Sequence, residues 1–201
     1  MTTAGRFLPA FGSVTGALDA LGVGWCLTGS MASVHYGVPR ATMDVDLVAE
    51  MRPAHVRPFC EALGAAFYAS PEAVGGAVRR RGSFNVIHID TAMKVDVFVL
   101  GDSPYERESF SRRRREVVAP FGPCFVPSPE DVLLSKILWY EKGGRVSDRQ
   151  WGDVLGILRS RGPGMDGEYL ERWAADRGVG DLLEAARKAA VRAEPPPRDE
   201  P

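Results

Sequence analysis

Two acids separated by one apolar residue, Asp44-Val45-Asp46, stand in the run "ATMDVDLV". Side chains of an extended strand alternate with a period of two, so Asp44 and Asp46 are expected on one face. Parallel carboxylates repel when both are ionised, which raises one pKa and strains the strand. A divalent cation removes that conflict, and Mg²⁺ in particular takes hard oxygen ligands while leaving positions for water and phosphate oxygens. A third acid, Asp96, lies in "KVDVFVL", with Val95, Val97 and Val99 on one face and Asp96 and Phe98 on the other. Should that strand neighbour the first, the three carboxylates would hold two Mg²⁺ ions about 3.5–4 Å apart, the spacing used for in-line displacement at phosphorus. Asp96 is also a candidate general base toward an acceptor hydroxyl. A lone Asp-x-Asp is common on half-exposed strands, so the acids need company to mean chemistry.

Gly29-Ser30, in "CLTGSMASVHYG", supplies it. The pair falls between a short apolar strand and a short helix, where open backbone N–H groups and the helix dipole favour a phosphate. Glycine permits close approach there, and the Ser30 hydroxyl can donate to a phosphate as well as cap the helix.

The elements that must position these residues follow from the periodicities. Phe7, Leu8, Phe11, Val14, Leu18 and Leu21 recur at helical spacing, so a helix opens the fold. "GVGWCLTG" reads as a strand, "SMASVHYGV" as a short helix, "MDVDLVAE" as a strand with Met43, Val45 and Leu47 inward, and "PAHVRPFCEALGAAF" as a helix begun by Pro53. "FNVIHID" and "KVDVFVL" flank "TAM" as a hairpin, and "EVVAPFGPCFVP" carries two more short strands. From Pro129 the pattern is helical: "PEDVLLSKILWYEKGG", then "SDRQWGDVLGILRSRG" capped by Ser147, then "DGEYLERWAADRG" and "GDLLEAARKAAVRA". The expected organisation is therefore an α/β (α+β) core over residues 1–128 and a helical segment over 129–193. The Pro-rich tail 194–201 reads as disordered.

With its motifs in this order, the chain resembles the polymerase-beta-like nucleotidyltransferase superfamily. "TGSMASVHYGVPRATMDVDLV" is similar to that signature: Gly-Ser, a short helix, then hydrophobic-Asp-hydrophobic-Asp. "SPEDVLLSKILWYEKGGRVSDRQWGDVLGIL" resembles the helical portion of small bacterial members related to abortive-infection (type IV toxin-antitoxin) toxins. The resemblance spans roughly residues 20–160. It implies a mixed sheet flanked by helices, two Mg²⁺ ions, an NTP donor and transfer of a nucleoside monophosphate. By the same resemblance Gly29 and Ser30 meet the triphosphate, and Asp44, Asp46 and Asp96 are metal ligands. Lys136 meets the donor phosphates, and Arg40 and Thr42 help orient the acidic strand and the nucleotide's phosphates. Asp148, Arg149 and Asp153 fall in the second helical motif, with Asp153 the member expected at the site. Lys136, set among Leu133, Leu134, Ile137 and Leu138, is equally readable as a snorkelling surface lysine.

Composition limits the alternatives. With 201 residues, 45% hydrophobic content and a formal charge of -1, the chain is a globular protein whose overall field does not attract nucleic acid. Local runs can: Arg79–Arg81 and Arg112–Arg115 are candidate RNA or triphosphate patches. Cys26, Cys60 and Cys124 lack metal spacing and fit a reducing compartment. No apolar run approaches the ~18 residues of a membrane span and no signal-peptide pattern opens the chain, so a cytoplasmic protein is expected. His35, His55 and His88 read as surface or core residues, and the four tryptophans as core. The leading expectation is an RNA-, tRNA- or protein-modifying transferase of toxin type, with an antitoxin-like partner. An antibiotic-modifying transferase, a non-catalytic nucleotide- or partner-binding module of the same fold, and a metal-dependent phosphohydrolase are the alternatives.

Overall fold

The first helix, α1 (Thr3–Ala20), buries the stripe Ala10, Phe11, Val14, Ala17 and Leu18, whose spacing marks one face of an α-helix. Leu8 lies off that stripe at 42% exposure. The computed structural model describes residues 3–37, 39–42 and 44–192, with side chains from Leu8 to Val191. Met43, expected on the inward face of the acidic strand, and the tail 194–201 lie outside the described residues.

After α1 the chain turns at Gly22 and enters β1 (Trp25–Leu27), then α2 (Gly29–Tyr36) and β2 (Val45–Ala49). A 3-10 turn at Pro53–His55 leads into α3 (Val56–Leu63), followed by β3 (Phe67–Tyr68) and α4 (Pro71–Arg80). The hairpin β4 (Ser83–His88) and β5 (Met93–Val99), helix α5 (Pro104–Ser111), and the hairpin β6 (Arg114–Val118) and β7 (Gly122–Val126) complete the first part. Four helices close the described chain: α6 (Pro129–Lys142), α7 (Asp148–Arg161), α8 (Gly167–Asp176) and α9 (Gly180–Arg192).

The main sheet has the order β1-β2-β5-β4-β3. Only the β2–β5 pair is parallel, so the sheet is mixed as expected. Val45, Leu47 and Ala49 of β2 and Val95, Val97 and Val99 of β5 are buried, on the side where α1 packs. Each fully buried valine contributes about 1.5–3 kcal/mol relative to exposure. The opposite side is apolar at one end, where Cys26, Leu100 and Phe110 pack with Val48. At the other end it carries Asp46 and Asp96. Strand alternation thus separates a core face from a polar face.

Three elements differ from expectation. The helix begun by Pro53 stops at Gly64, and Phe67 already pairs with His88 in the sheet. Helices α4 and α5 carry no clear apolar periodicity, because "PEAVGGAVRR" holds two glycines and "PYERESFS" is short and polar. Their start signals were present nonetheless. Ser70 and Ser103 each precede a proline and accept a backbone hydrogen bond from the third helical residue, and Glu106 closes a capping box.

The chain divides into two compact units, one of residues Met1–His35 with Ala41–Ser128, the other of Tyr36–Arg40 with the helices from Pro129 onward. In the helical unit, buried Asp131 accepts from the Tyr169 hydroxyl at 2.6 Å, and Glu130 accepts from the Asp166 backbone N–H at 3.0 Å. These two acids of the α6 first turn therefore join α6 to α8.

Candidate active site

Strand β1 is continued by the hydrogen bond from Thr28 N–H to the Asp46 carbonyl at 2.8 Å. The chain then reverses at Gly29, whose φ of +63 lies in the left-handed region. A second constraint acts at this position. A Cβ built on Gly29 would lie 2.0 Å from Asp46 Oδ2, so the Asp46 carboxylate rests directly against the Gly29 backbone. Glycine is required both by the turn and by the carboxylate. Ser30 opens α2 buried, and its carbonyl accepts from the Ser33 hydroxyl at 2.9 Å.

In the parallel pair β2–β5, Asp46 stands opposite Asp96. Register partners on neighbouring strands share a face at a strand spacing of about 4.8 Å. Asp44 precedes the first residue of β2 and is exposed, and its N–H reaches Thr42 Oγ1 at 3.4 Å. Among the described residues no three His, Cys, Asp or Glu side chains are gathered at metal-holding spacing. A cation is nevertheless present among the acids: Lys94 Nζ lies 2.6 Å from Asp96 Oδ2. The hydrogen bond to Asp96 raises the Lys94 pKa above the usual lysine value; burial opposes it, and the charges of Asp96, Asp44 and Asp46 add to the rise. The chemistry of this set, hard carboxylate oxygens already drawing a positive charge, fits divalent ions such as Mg²⁺.

The first unit thus brings together Gly29, Ser30, Asp46 and Asp96, with Asp44 and Thr42 at the strand entry. Lys94 belongs to the same set and was not singled out in the sequence. Its signal was the two-residue step to Asp96 in "KVD", which puts both on one strand face.

Arg40, Lys136 and Asp153 meet in the helical unit. Arg40 donates from Nε and a terminal nitrogen to both oxygens of Asp153 at 2.9 Å, and Lys136 Nζ lies 2.9 Å from Asp153 Oδ2. The Lys136 and Asp153 side chains are 6% and 7% exposed. Burial lowers the Lys136 pKa, with Asp153 opposing. Burial raises that of Asp153, but the hydrogen bonds and charges of Arg40 and Lys136 outweigh it and bring the carboxyl to about 2. Lys136 is therefore a buried, paired lysine rather than a snorkelling one. Asp148 and Arg149 are exposed in the first turn of α7.

The remaining candidates have local partners. His35 Nε2 lies 2.5 Å from Glu116 Oε2. The arginine runs are not uniform faces. Arg113 stacks over Phe110 and Phe125 and donates to the Phe110 carbonyl, while Arg114 and Arg115, adjacent in β6, point to opposite sides. Arg81 is held by Asp102 and the Leu100 carbonyl. No described helix is long and apolar enough to cross a membrane.

A mixed five-stranded sheet with an Asp-bearing parallel pair and a Gly-Ser turn before a short helix is the nucleotidyltransferase fold. The solution structure of the antibiotic-resistance factor ANT(2'')-Ia matches 94% of this chain and 100% of its own at 16% identity, with a TM-score of 0.54. ANT(2'')-Ia crystallised with adenylyl-2''-tobramycin (14% identity, 92% and 96% coverage, TM-score 0.47) overlaps more loosely. So does an antigenic nucleotidyltransferase-like protein from Paracoccidioides brasiliensis (18% identity, 88% and 90% coverage, TM-score 0.46). No protein-family model and no curated protein matches the chain.

Proposed function

We propose that the chain is a Mg²⁺-dependent nucleotidyltransferase, moving a nucleoside monophosphate from an NTP to an acceptor hydroxyl. The observation that supports this most is the register of β2 against β5, with Asp46 beside Asp96 and the Asp46 carboxylate against Gly29. In this reading Asp44, Asp46 and Asp96 hold the ions. Ions there would supply charge neutralisation at the triphosphate and polarisation of the acceptor hydroxyl. Backbone N–H groups at the start of α2 and the Ser30 hydroxyl take a phosphate, favoured by the helix dipole. Asp96 is the carboxylate available to accept the acceptor's proton. Arg40 and Lys136 both engage Asp153, so a phosphate-binding role for either uses their remaining N–H donors or exchanges that carboxylate for a phosphate.

Two acceptor classes stand. The helical motif's resemblance to toxin-type enzymes favours RNA, tRNA or protein, with an antitoxin-like partner. The dispersal of the arginine runs and the overlap with an antibiotic-resistance factor favour a small hydroxylated acceptor. Incubation with each labelled NTP, Mg²⁺ and either total RNA or an aminoglycoside panel separates them by which acceptor gains label. Pyrophosphate release with a nucleotidyl adduct is expected, and free phosphate alone would replace this proposal with a phosphohydrolase. Asp44→Ala and Asp46→Ala should each abolish transfer while circular dichroism and the metal-free melting temperature show a folded chain. Unchanged turnover in both removes the metal-ligand assignment.

A further inference from the structure

Lys94 is a cation on the acidic strand face that the proposed chemistry leaves unused. It stands two residues before Asp96 on β5, so the pleat directs both to the same side. Its ammonium lies 2.6 Å from Asp96 Oδ2, while its side chain remains 48% exposed. A half-exposed lysine on a four-carbon tether can leave a partner and enter water with little disturbance of the backbone. Asp96, 21% exposed and fixed in a central strand, cannot move away in the same manner. Asp96 is held by its strand, and the cation paired with it is removable.

From this geometry we infer that Lys94 is a resident counter-cation: it neutralises the acidic strand face in the metal-free protein and yields Asp96 to an arriving divalent ion. Binding is then an exchange of one ion pair for another, with no proton transferred, because the displaced ammonium leaves still charged. The exchange weakens intrinsic metal affinity and keeps the strand pair from repelling itself apart when no metal is bound. Lys94 acts through Asp96 and is a positioning residue. The inference rests on the metal-ligand reading above, and its test separates the two.

The test is a Mn²⁺ titration of the full chain without nucleotide, following free Mn²⁺ by electron paramagnetic resonance, with melting temperatures recorded with and without Mn²⁺. Lys94→Met is expected to bind Mn²⁺ about two- to fivefold more tightly than wild type, the scale of one partly exposed ion pair. Its metal-free melting temperature should fall and its Mn²⁺-dependent rise should grow. Lys94→Gln should behave alike and serves if the methionine variant fails to fold. Lys94→Arg should restore wild-type values, and Arg57→Met, removing an exposed positive charge on α3, should change neither. Wild type that binds Mn²⁺ while Lys94→Met and Lys94→Gln bind no more tightly overturns the counter-cation and leaves the metal site standing. An equal gain in Arg57→Met also overturns it, by reducing the effect to general charge. Wild type that binds no Mn²⁺, or whose binding is untouched by Asp46→Asn, overturns both.

Discussion

At the scale of single residues, the contact between Gly29 and Asp46 ties the phosphate-type turn to the metal-type strand. Alanine at position 29 meets two penalties at once. The left-handed backbone costs about 1–2 kcal/mol for any residue with a Cβ. The new methyl also collides with Asp46 Oδ2, which lies within 2.0 Å of where that Cβ must stand. Gly29→Ala should therefore lower the unfolding free energy by about 2–4 kcal/mol, measured by urea denaturation. In an Asp46→Ala background the carboxylate's share of the collision disappears, although the Cβ at position 46 still lies 2.8 Å from the built one, so the two changes should be non-additive in a double-mutant cycle. Additivity within error would mean that Asp46 does not rest on Gly29. The sequence shows this glycine and this aspartate as separate motif letters. That one leans on the other is a matter of three-dimensional approach, which no spacing reveals.

At the scale of elements, period-two alternation was legible in β2 and β5 because their buried faces are uniform valine, leucine and alanine. The acids stood out against that background, and the face opposite the core could be inferred from it. What alternation could not supply was register: a slip of one residue between β2 and β5 would turn Asp96 to the core side. Helices α4 and α5 were illegible for another reason, since glycine and polar residues dilute the apolar stripe while the caps that start them occupy only a few positions. Lys136 is not placed by its spacing, because a lysine in an apolar stripe fits surface or interior until its partner is known. The partner, Asp153 on α7, makes the α6–α7 junction dependent on acid. Its carboxyl is depressed to about 2 in the folded chain against an ordinary value near 3.8. A depressed carboxyl stabilises fully above its unfolded value, and that stabilisation is lost as pH falls through the folded one. About 2 kcal/mol should therefore disappear between about pH 4 and pH 2. Urea midpoints across that range should fall for wild type and fall less steeply for Asp153→Asn, which starts from lower stability because Lys136 and Arg40 lose their counter-charge.

At the scale of the molecule, the boundary near residue 128 follows from composition and periodicity, but the short return of Tyr36–Arg40 to the helical unit does not. Those residues run from the last position of the helix that opens with Gly29-Ser30 toward the strand that carries the acids. Their contacts with distant sequence are specific: Arg161 lies over the Tyr36 ring at 5.5 Å, and Arg40 grips Asp153 with two hydrogen bonds. A stop codon after Ser128 would thus do more than remove an appendage. It would strip the partners from a five-residue stretch threaded through the middle of the retained sequence, directly ahead of Asp44. Such a fragment should be recovered mainly as insoluble material, or melt well below the full chain, and adding residues 129–192 as a separate polypeptide should restore part of the loss. A soluble fragment melting like the whole protein would mean that the stretch finds its order without the helices. Read as a gene, the frame cannot be cut at its most obvious seam.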